Sequence, residues 1–132
     1  MSGVHADDLI GTWWLAAYHS IDDDGGVHEG PLGADPCGLL FYAADGHMSV
    51  SMMRSPGTGH GFMGYAGTWE LSGRQVIHRV LVSSHNYLVG TRQHRDIELA
   101  DDRLTLHAVA PAASGRAGRR LLRWRRMTGV GR

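Results

Sequence analysis

QVIHRVLVSSHNYLVGTRQHRDIEL, residues 75–99, reads as two strands joined by a turn. Its second half alternates. Arg92, His94, Asp96 and Glu98 share one face, and Thr91, Gln93, Arg95, Ile97 and Leu99 share the other. A repeat of two marks a half-buried strand. The face carrying the acids is the wet one, so Arg95 travels inward with Ile97 and Leu99. In the first half Val76, His78, Val80 and Val82 lie on one face and Arg79 on the other. A histidine and an arginine therefore point from adjacent strands into one apolar interior. Buried charge is costly unless it is paired or has a task, which makes this pair the leading functional candidate.

Similar segments flank this stretch. Strands are expected over residues 11–21, 39–43, 47–54, 65–71, 75–84, 91–99, 104–110 and 119–127. Between them lie turn signals such as DDDGG at 22–26 and Ala-Asp-Gly at 44–46. In the first strand Trp13, Leu15, Ala17 and His19 form one face, and Trp14, Ala16 and Tyr18 the other. Met48, Val50, Met52 and Arg54 form an inward set, as do Tyr65, Gly67, Trp69 and Leu71. Leu104 and Leu106, then Leu122 and Trp124, complete it, with Arg123 and Arg125 outside. Tyr42 has no assigned face. Residues 31–38 and 111–118 read as loops. Residues 55–64, SPGTGHGFMG, hold four glycines and a proline and form a candidate flap over an opening.

Eight short strands suit a sandwich or an up-and-down barrel. Charge decides between them. All thirteen basic residues are arginine, none before Arg54, while the first 53 residues hold eight acids. Six arginines lie from Arg116 to Arg126. In a closed barrel the last strand runs antiparallel to the first, and residues 116–120 sit beside Asp22, Asp23 and Asp24. Closure also removes free edges. The expected fold is an all-β, closed, eight-stranded antiparallel up-and-down β-barrel. It forms one domain over residues 1–132, with 1–8 and 128–132 as flexible ends.

Composition narrows the partners. The formal net charge is zero, so the arginine-rich strand reads as a solvated face, with no nucleic-acid and no membrane partner. No apolar run is long enough to span a bilayer, and the N-terminus lacks a signal-peptide pattern. Cys37 is the one cysteine, which excludes an intrachain disulfide and points to a cytoplasmic protein. The nine histidines show no ligand spacing with a nearby acid, so no metal is expected. No phosphate loop, dinucleotide fingerprint or nucleophile elbow occurs, and no cofactor is expected.

LIGTWWLAAY, PLGADPCGLLFYAADGHMSVSMM, YAGTWEL, VIHRVLVSS, VGTRQHRDIEL and DRLTL follow in order along the chain. Together they resemble the lipocalin-like domain family of small bacterial and fungal proteins, over roughly residues 9–127. The Gly-Thr-Trp at 11–13 is also similar to the Gly-x-Trp of true lipocalins. There the tryptophan closes the barrel base under an arginine of the last strand. The resemblance implies that Trp13 and Arg126, or Arg123, form that pair through a cation–π contact. It also implies a calyx for an apolar small molecule. The short glycine-rich 55–64 departs from the longer helical insert of many relatives.

The residue types then suggest roles. Arg95 would hold a carboxylate, an enolate or a dicarbonyl oxygen, or else pair with an inward acid. Glu70 is the nearest acid, and its strand phase puts it outside. His78 would act as general acid or base, or as a core histidine bonded to Tyr65 or Ser84. Tyr65, Trp69, Trp124, Met48, Met52 and Gln93 would line the cavity, with Arg54 a second anion contact at its entrance. The expected function is a cofactor-independent cyclase or isomerase of natural-product, polyketide-type biosynthesis, acting on an apolar substrate in the lumen. The alternative is a non-catalytic carrier of a hydrophobic metabolite. A homodimer is compatible with either, and an interaction module built on the arginine strand is the third reading.

Overall fold

The computed structural model describes residues 4–110 and 118–128. Of the loop expected at 111–118, residues 111–117 lie outside the described residues, as do the outermost residues of both ends, and Gly118 opens the last strand. A four-residue helix, α1 (Ala6–Leu9), precedes nine strands. These are β1 (Gly11–Ile21), β2 (Val27–Glu29), β3 (Cys37–Tyr42), β4 (His47–Met53), β5 (Phe62–Ser72), β6 (Gln75–Ser83), β7 (Arg92–Ala100), β8 (Arg103–Ala110) and β9 (Gly118–Arg126). A single 3₁₀ turn, Asn86–Leu88, joins β6 to β7.

From β3 to β9 each strand pairs antiparallel with the next, and β1 pairs with both β3 and β9. Eight strands thus close into a barrel. Ser20 faces Arg120 and Ile21 faces Arg119 across the seam, the neighbourhood that the charge pattern required. The additional strand, β2, falls between the expected turn at 22–26 and the expected loop at 31–38, where no element was assigned. It pairs with the last residues of β1, from His19↔Glu29 to Ile21↔Val27. Its three residues are all exposed, so they carry no hydrophobic repeat by which to read a strand. β5 begins at Phe62, inside the stretch read as glycine-rich loop. Gly64 is buried there against β4, opposite Ser51.

Two β-bulges change which residues face inward. A bulge adds one residue and shifts the alternation by one. In β1 the register with β9 slips between Leu15 and Ala17. Trp13 and Leu15 are buried, and so is Tyr18, which strict alternation put on the opposite face. Between β5 and β6 the register slips between Ala66 and Gly67, so that Gly67 opposes Val80 and Ala66 opposes Val82. Val76, His78 and Val80 are buried as expected, but Val82 is 62% exposed. Its inward assignment is therefore corrected.

One end of the barrel is sealed. Trp13 is 0% exposed, and its indole Nε1 donates to the Leu9 carbonyl at 3.0 Å. The Arg126 guanidinium lies 4.2 Å from the ring centroid. Arg126 donates from Nη1 to the Ile10 carbonyl at 2.9 Å, and from Nη2 to the Asp8 carbonyl. Of the two arginines the resemblance allowed, Arg126 makes the contact, and Arg123 is exposed. Gly11 has φ +136°, and a Cβ there would stand 2.9 Å from Arg126 Nη1. Glycine is what lets the arginine reach over the ring. Among the described residues no helix is long and apolar enough to cross a membrane.

Candidate functional site

The sealed end is filled by buried side chains, among them Leu9, Trp13 and Leu104. The other half encloses a cavity of about 120 Å³. Leu40, Val50, Leu106 and Leu122 give it apolar walls. Polar groups enter from three sides: Tyr18 from β1, Tyr65 and His78 from β5 and β6, and Gln93 and Arg95 from β7. Arg120 from β9 is a second guanidinium, and its Nη1 stands 3.5 Å from the Tyr18 hydroxyl.

His78 is 2% exposed. Both ring nitrogens are engaged: Nε2 with the Tyr42 hydroxyl and Nδ1 with the Tyr65 hydroxyl, each at 2.6 Å. Burial pushes its pKa down to about 3, and the charge of Arg95 acts in the same direction. The imidazole is neutral at physiological pH. Burial also raises the phenols. Tyr65 is pushed up to about 12, with Arg95 opposing the rise, and Tyr42 is held well above its ordinary value. All three groups are locked in their uncharged forms.

This has a consequence for stability. A histidine that stays neutral when folded takes up a proton on unfolding below its ordinary pKa of 6.5. The unfolded chain then binds more protons, so stability falls as pH falls from about 6.5 towards 3 and is fully present above 6.5. At pH 5 the loss from this one residue is about 2 kcal/mol relative to pH 8. Denaturant unfolding of wild type and His78→Gln at both pH values reads it. Wild type should lose about 2 kcal/mol more than the variant, and equal losses would contradict a buried neutral imidazole.

Arg95 is half-buried. Its Nη1 donates to the His94 carbonyl at 2.9 Å and its Nη2 to Gln93 Oε1 at 3.2 Å. The ladder between β7 and β8 explains this position. It runs from Asp96↔His107 to Ala100↔Arg103, so residues 92–95 have no partner in β8. The wall is parted there, and the guanidinium caps a carbonyl of the parted edge. Glu70 is exposed. Ion pairs join His28 to Asp22, His47 to Asp45 and His107 to Glu98, and none of these involves Arg95.

Of the side chains expected at the site, Arg95, His78, Tyr65, Gln93, Met52 and Trp124 meet around the cavity. Three do not. Met48 is buried opposite Gly67, nearer the sealed end. Trp69 lies beside it, stacked at a tilt on Tyr42 with centroids 4.8 Å apart, and its Nε1 donates to the Ala43 carbonyl at 2.9 Å. Arg54 has left the strand alternation, because β4 ends at Met53. It bridges two loops, donating to the Thr58 carbonyl of its own at 3.1 Å and to the Pro31 carbonyl of the β2–β3 connection at 3.3 Å. Its aliphatic stem packs along Gly61. The flap of residues 55–61 is thereby tied down by the arginine expected at the entrance.

Three lumen groups went unassigned. Arg120 follows the same two-residue step as Leu122 and Trp124, so its face was readable. Tyr42 sits opposite Met48 across the β3–β4 hairpin, and an inward Met48 implied an inward Tyr42. Tyr18 was hidden by the β1 bulge. Cys37 is half-buried and free. Among the described residues no group of three or more His, Cys, Asp or Glu side chains could hold a metal ion. The arrangement is instead an apolar chamber with neutral hydroxyls and unneutralised guanidinium charge, suited to an oxygen that bears or develops negative charge.

A search of curated proteins returned no significant match. The family model of the lipocalin-like domain matches residues 10–59 and 57–127, which takes in the barrel from the start of β1 to the end of β9. The chain belongs to the lipocalin-like domain family.

Proposed function

We propose that the protein binds a small, mostly apolar molecule carrying an acidic or enolisable oxygen, with the oxygen held at Arg95. One observation carries this reading. A guanidinium stands in the wall of an apolar cavity with a carbonyl and an amide for partners and, among the described residues, no carboxylate. A half-buried guanidinium with no carboxylate beside it leaves its charge and remaining donors available to a bound anion. The size of the chamber supports a matching shape. A cavity of about 150 Å³ accepts benzene, so about 120 Å³ holds at most one ring or a short branched chain. A larger, polyketide-type molecule would extend through the open end.

The second reading is catalytic: a cofactor-independent cyclase or isomerase. What favours it is the Tyr42–His78–Tyr65 chain beside Arg95. Fixed donors in a dry site stabilise developing oxyanion charge. In a carrier the same groups would serve affinity alone. Turnover separates the two, since loss of Arg95 would slow an enzyme even at saturating substrate.

Benzoate and toluene probe the binding claim, because they differ by the carboxylate. Wild type should bind benzoate more tightly than toluene. Arg95→Met should weaken benzoate at least about tenfold, as expected for a charge-assisted hydrogen bond of about 1.5–3 kcal/mol, and leave toluene unchanged. Titrations followed by amide shifts read both. Equal loss of the two probes, or none, would defeat the proposal.

A further inference from the structure

We infer that Tyr65 presents its O–H to the ligand as a fixed hydrogen-bond donor, and that Tyr42 sets this direction through His78. The inference rests on the reading of the lumen as the ligand site. It follows from counting protons along the chain. Tyr42 is 2% exposed, and its hydroxyl has one partner among the described residues, His78 Nε2. A phenol carries one proton to donate. If Nε2 carried the imidazole proton, the Tyr42 hydroxyl would have to accept it, and its own O–H would be left without an acceptor in a dry core. Orphaning a buried donor costs its full desolvation. The tautomer that avoids this has Tyr42 donating to Nε2, so the imidazole proton sits on Nδ1. Nδ1–H then donates to the Tyr65 oxygen. Tyr65, unlike Tyr42, lines the cavity. Its own proton is the one left over, and the cavity is where it finds an acceptor.

The same count limits what the chain can do. Replacing through the chain a proton that Tyr65 had given to a ligand would take one from Nδ1 and then one from Tyr42. That would leave a Tyr42 phenolate with no onward donor to reprotonate it, in a place where burial strongly opposes the charge. The chain is a dead end for protons. The chain therefore supplies no replacement proton to Tyr65, and His78 is a positioning residue rather than an acid or base. The ligand class follows. The group at Tyr65 is an acceptor oxygen, a ketone, a dicarbonyl or a carboxylate, and Arg95 stands near enough for its charge to act on Tyr65.

Long-range ¹H–¹⁵N correlation spectra of the ligand-free protein, labelled at histidine, report the tautomer without any ligand. His78 should show a protonated, pyrrole-type Nδ1 and a pyridine-type Nε2. Tyr42→Phe removes the donor to Nε2, and the pattern should reverse or average. A protonated Nε2 in wild type, or an unchanged pattern in Tyr42→Phe, overturns the inference. Acetophenone tests the donor itself, because it accepts hydrogen bonds without charge. Tyr65→Phe should weaken acetophenone about fivefold relative to toluene, and equal affinity would also overturn it. Failure of the Arg95 proposal reads differently, since it would appear in the benzoate titration and leave the tautomer as inferred.

Discussion

Trp13→Ala should lower the unfolding free energy by about 4 kcal/mol, the middle of the range for truncating a buried aromatic. The residue is fully buried, and its ring carries three separate interactions. It fills the sealed end of the barrel, it donates to the Leu9 carbonyl that anchors α1, and it lies under the Arg126 guanidinium. Alanine removes all three at once. It also leaves a cavity that the rigid ring of strands cannot collapse to fill. For a chain of this length the change corresponds to about 15 °C in Tm, a large share of the 5–15 kcal/mol typical of a domain. Arg126→Met keeps an aliphatic stem over the ring and removes the charge and its donors, so it should cost about 2 kcal/mol. The double variant should then cost less than the sum, because the ring and the cation act together. Urea denaturation measures all three. A loss below about 1 kcal/mol for Trp13→Ala would mean that the sealed end contributes little, and the barrel would owe its closure to the β1–β9 ladder alone.

How far the chain could be read depended on whether one rule, alternation, held along each strand. It held for β7, where Gln93 and Arg95 reach the lumen with Ile97 behind them. It held for the first half of β6, which set His78 inside, and for β9, where Leu122 and Trp124 are buried. Charge asymmetry then supplied a long-range contact that no local pattern contains, the seam between β1 and β9. The misses came where a bulge broke the count. Tyr18 and Val82 each lie just beyond one and each changed sides. Arg54 failed for a different reason. Its strand ended one residue earlier, and an arginine just past a strand end beside a glycine-rich loop can satisfy its donors on loop carbonyls. The Tyr42–His78–Tyr65 chain lies at the limit of what a sequence reveals. Tyr65 was foreseen as a partner of His78, but that a second phenol holds the other nitrogen depends on β3 and β6 meeting across the lumen.

Gly67→Ala should cost about 3 kcal/mol, the upper end of what overpacking does, and it should disturb the site as well as the fold. Gly67 is buried on the inner face of β5 at the point where the register with β6 slips. A methyl built there overlaps the Arg79 carbonyl oxygen and stands 2.9 Å from its carbon and 3.1 Å from the Leu81 nitrogen. Every one of these atoms is backbone, so no rotamer change relieves the contact. The strands must separate, at the expense of ladder hydrogen bonds next to the bulge. Gly118→Ala is the control. Among the described residues nothing lies within 4 Å of a Cβ there, and the change should stay within about 0.5 kcal/mol of wild type. The functional consequence follows from position. Tyr65 stands two residues before Gly67, and His78 two residues before Val80, its partner across the ladder. Moving β5 off β6 at this pair lengthens the 2.6 Å bond between Tyr65 and Nδ1. The His78 nitrogen signals should broaden or shift while those of exposed histidines such as His47 do not. Wild-type stability in Gly67→Ala would require the Arg79 carbonyl to lie elsewhere, and the bulge that aims Tyr65 and His78 at each other would then have a different geometry.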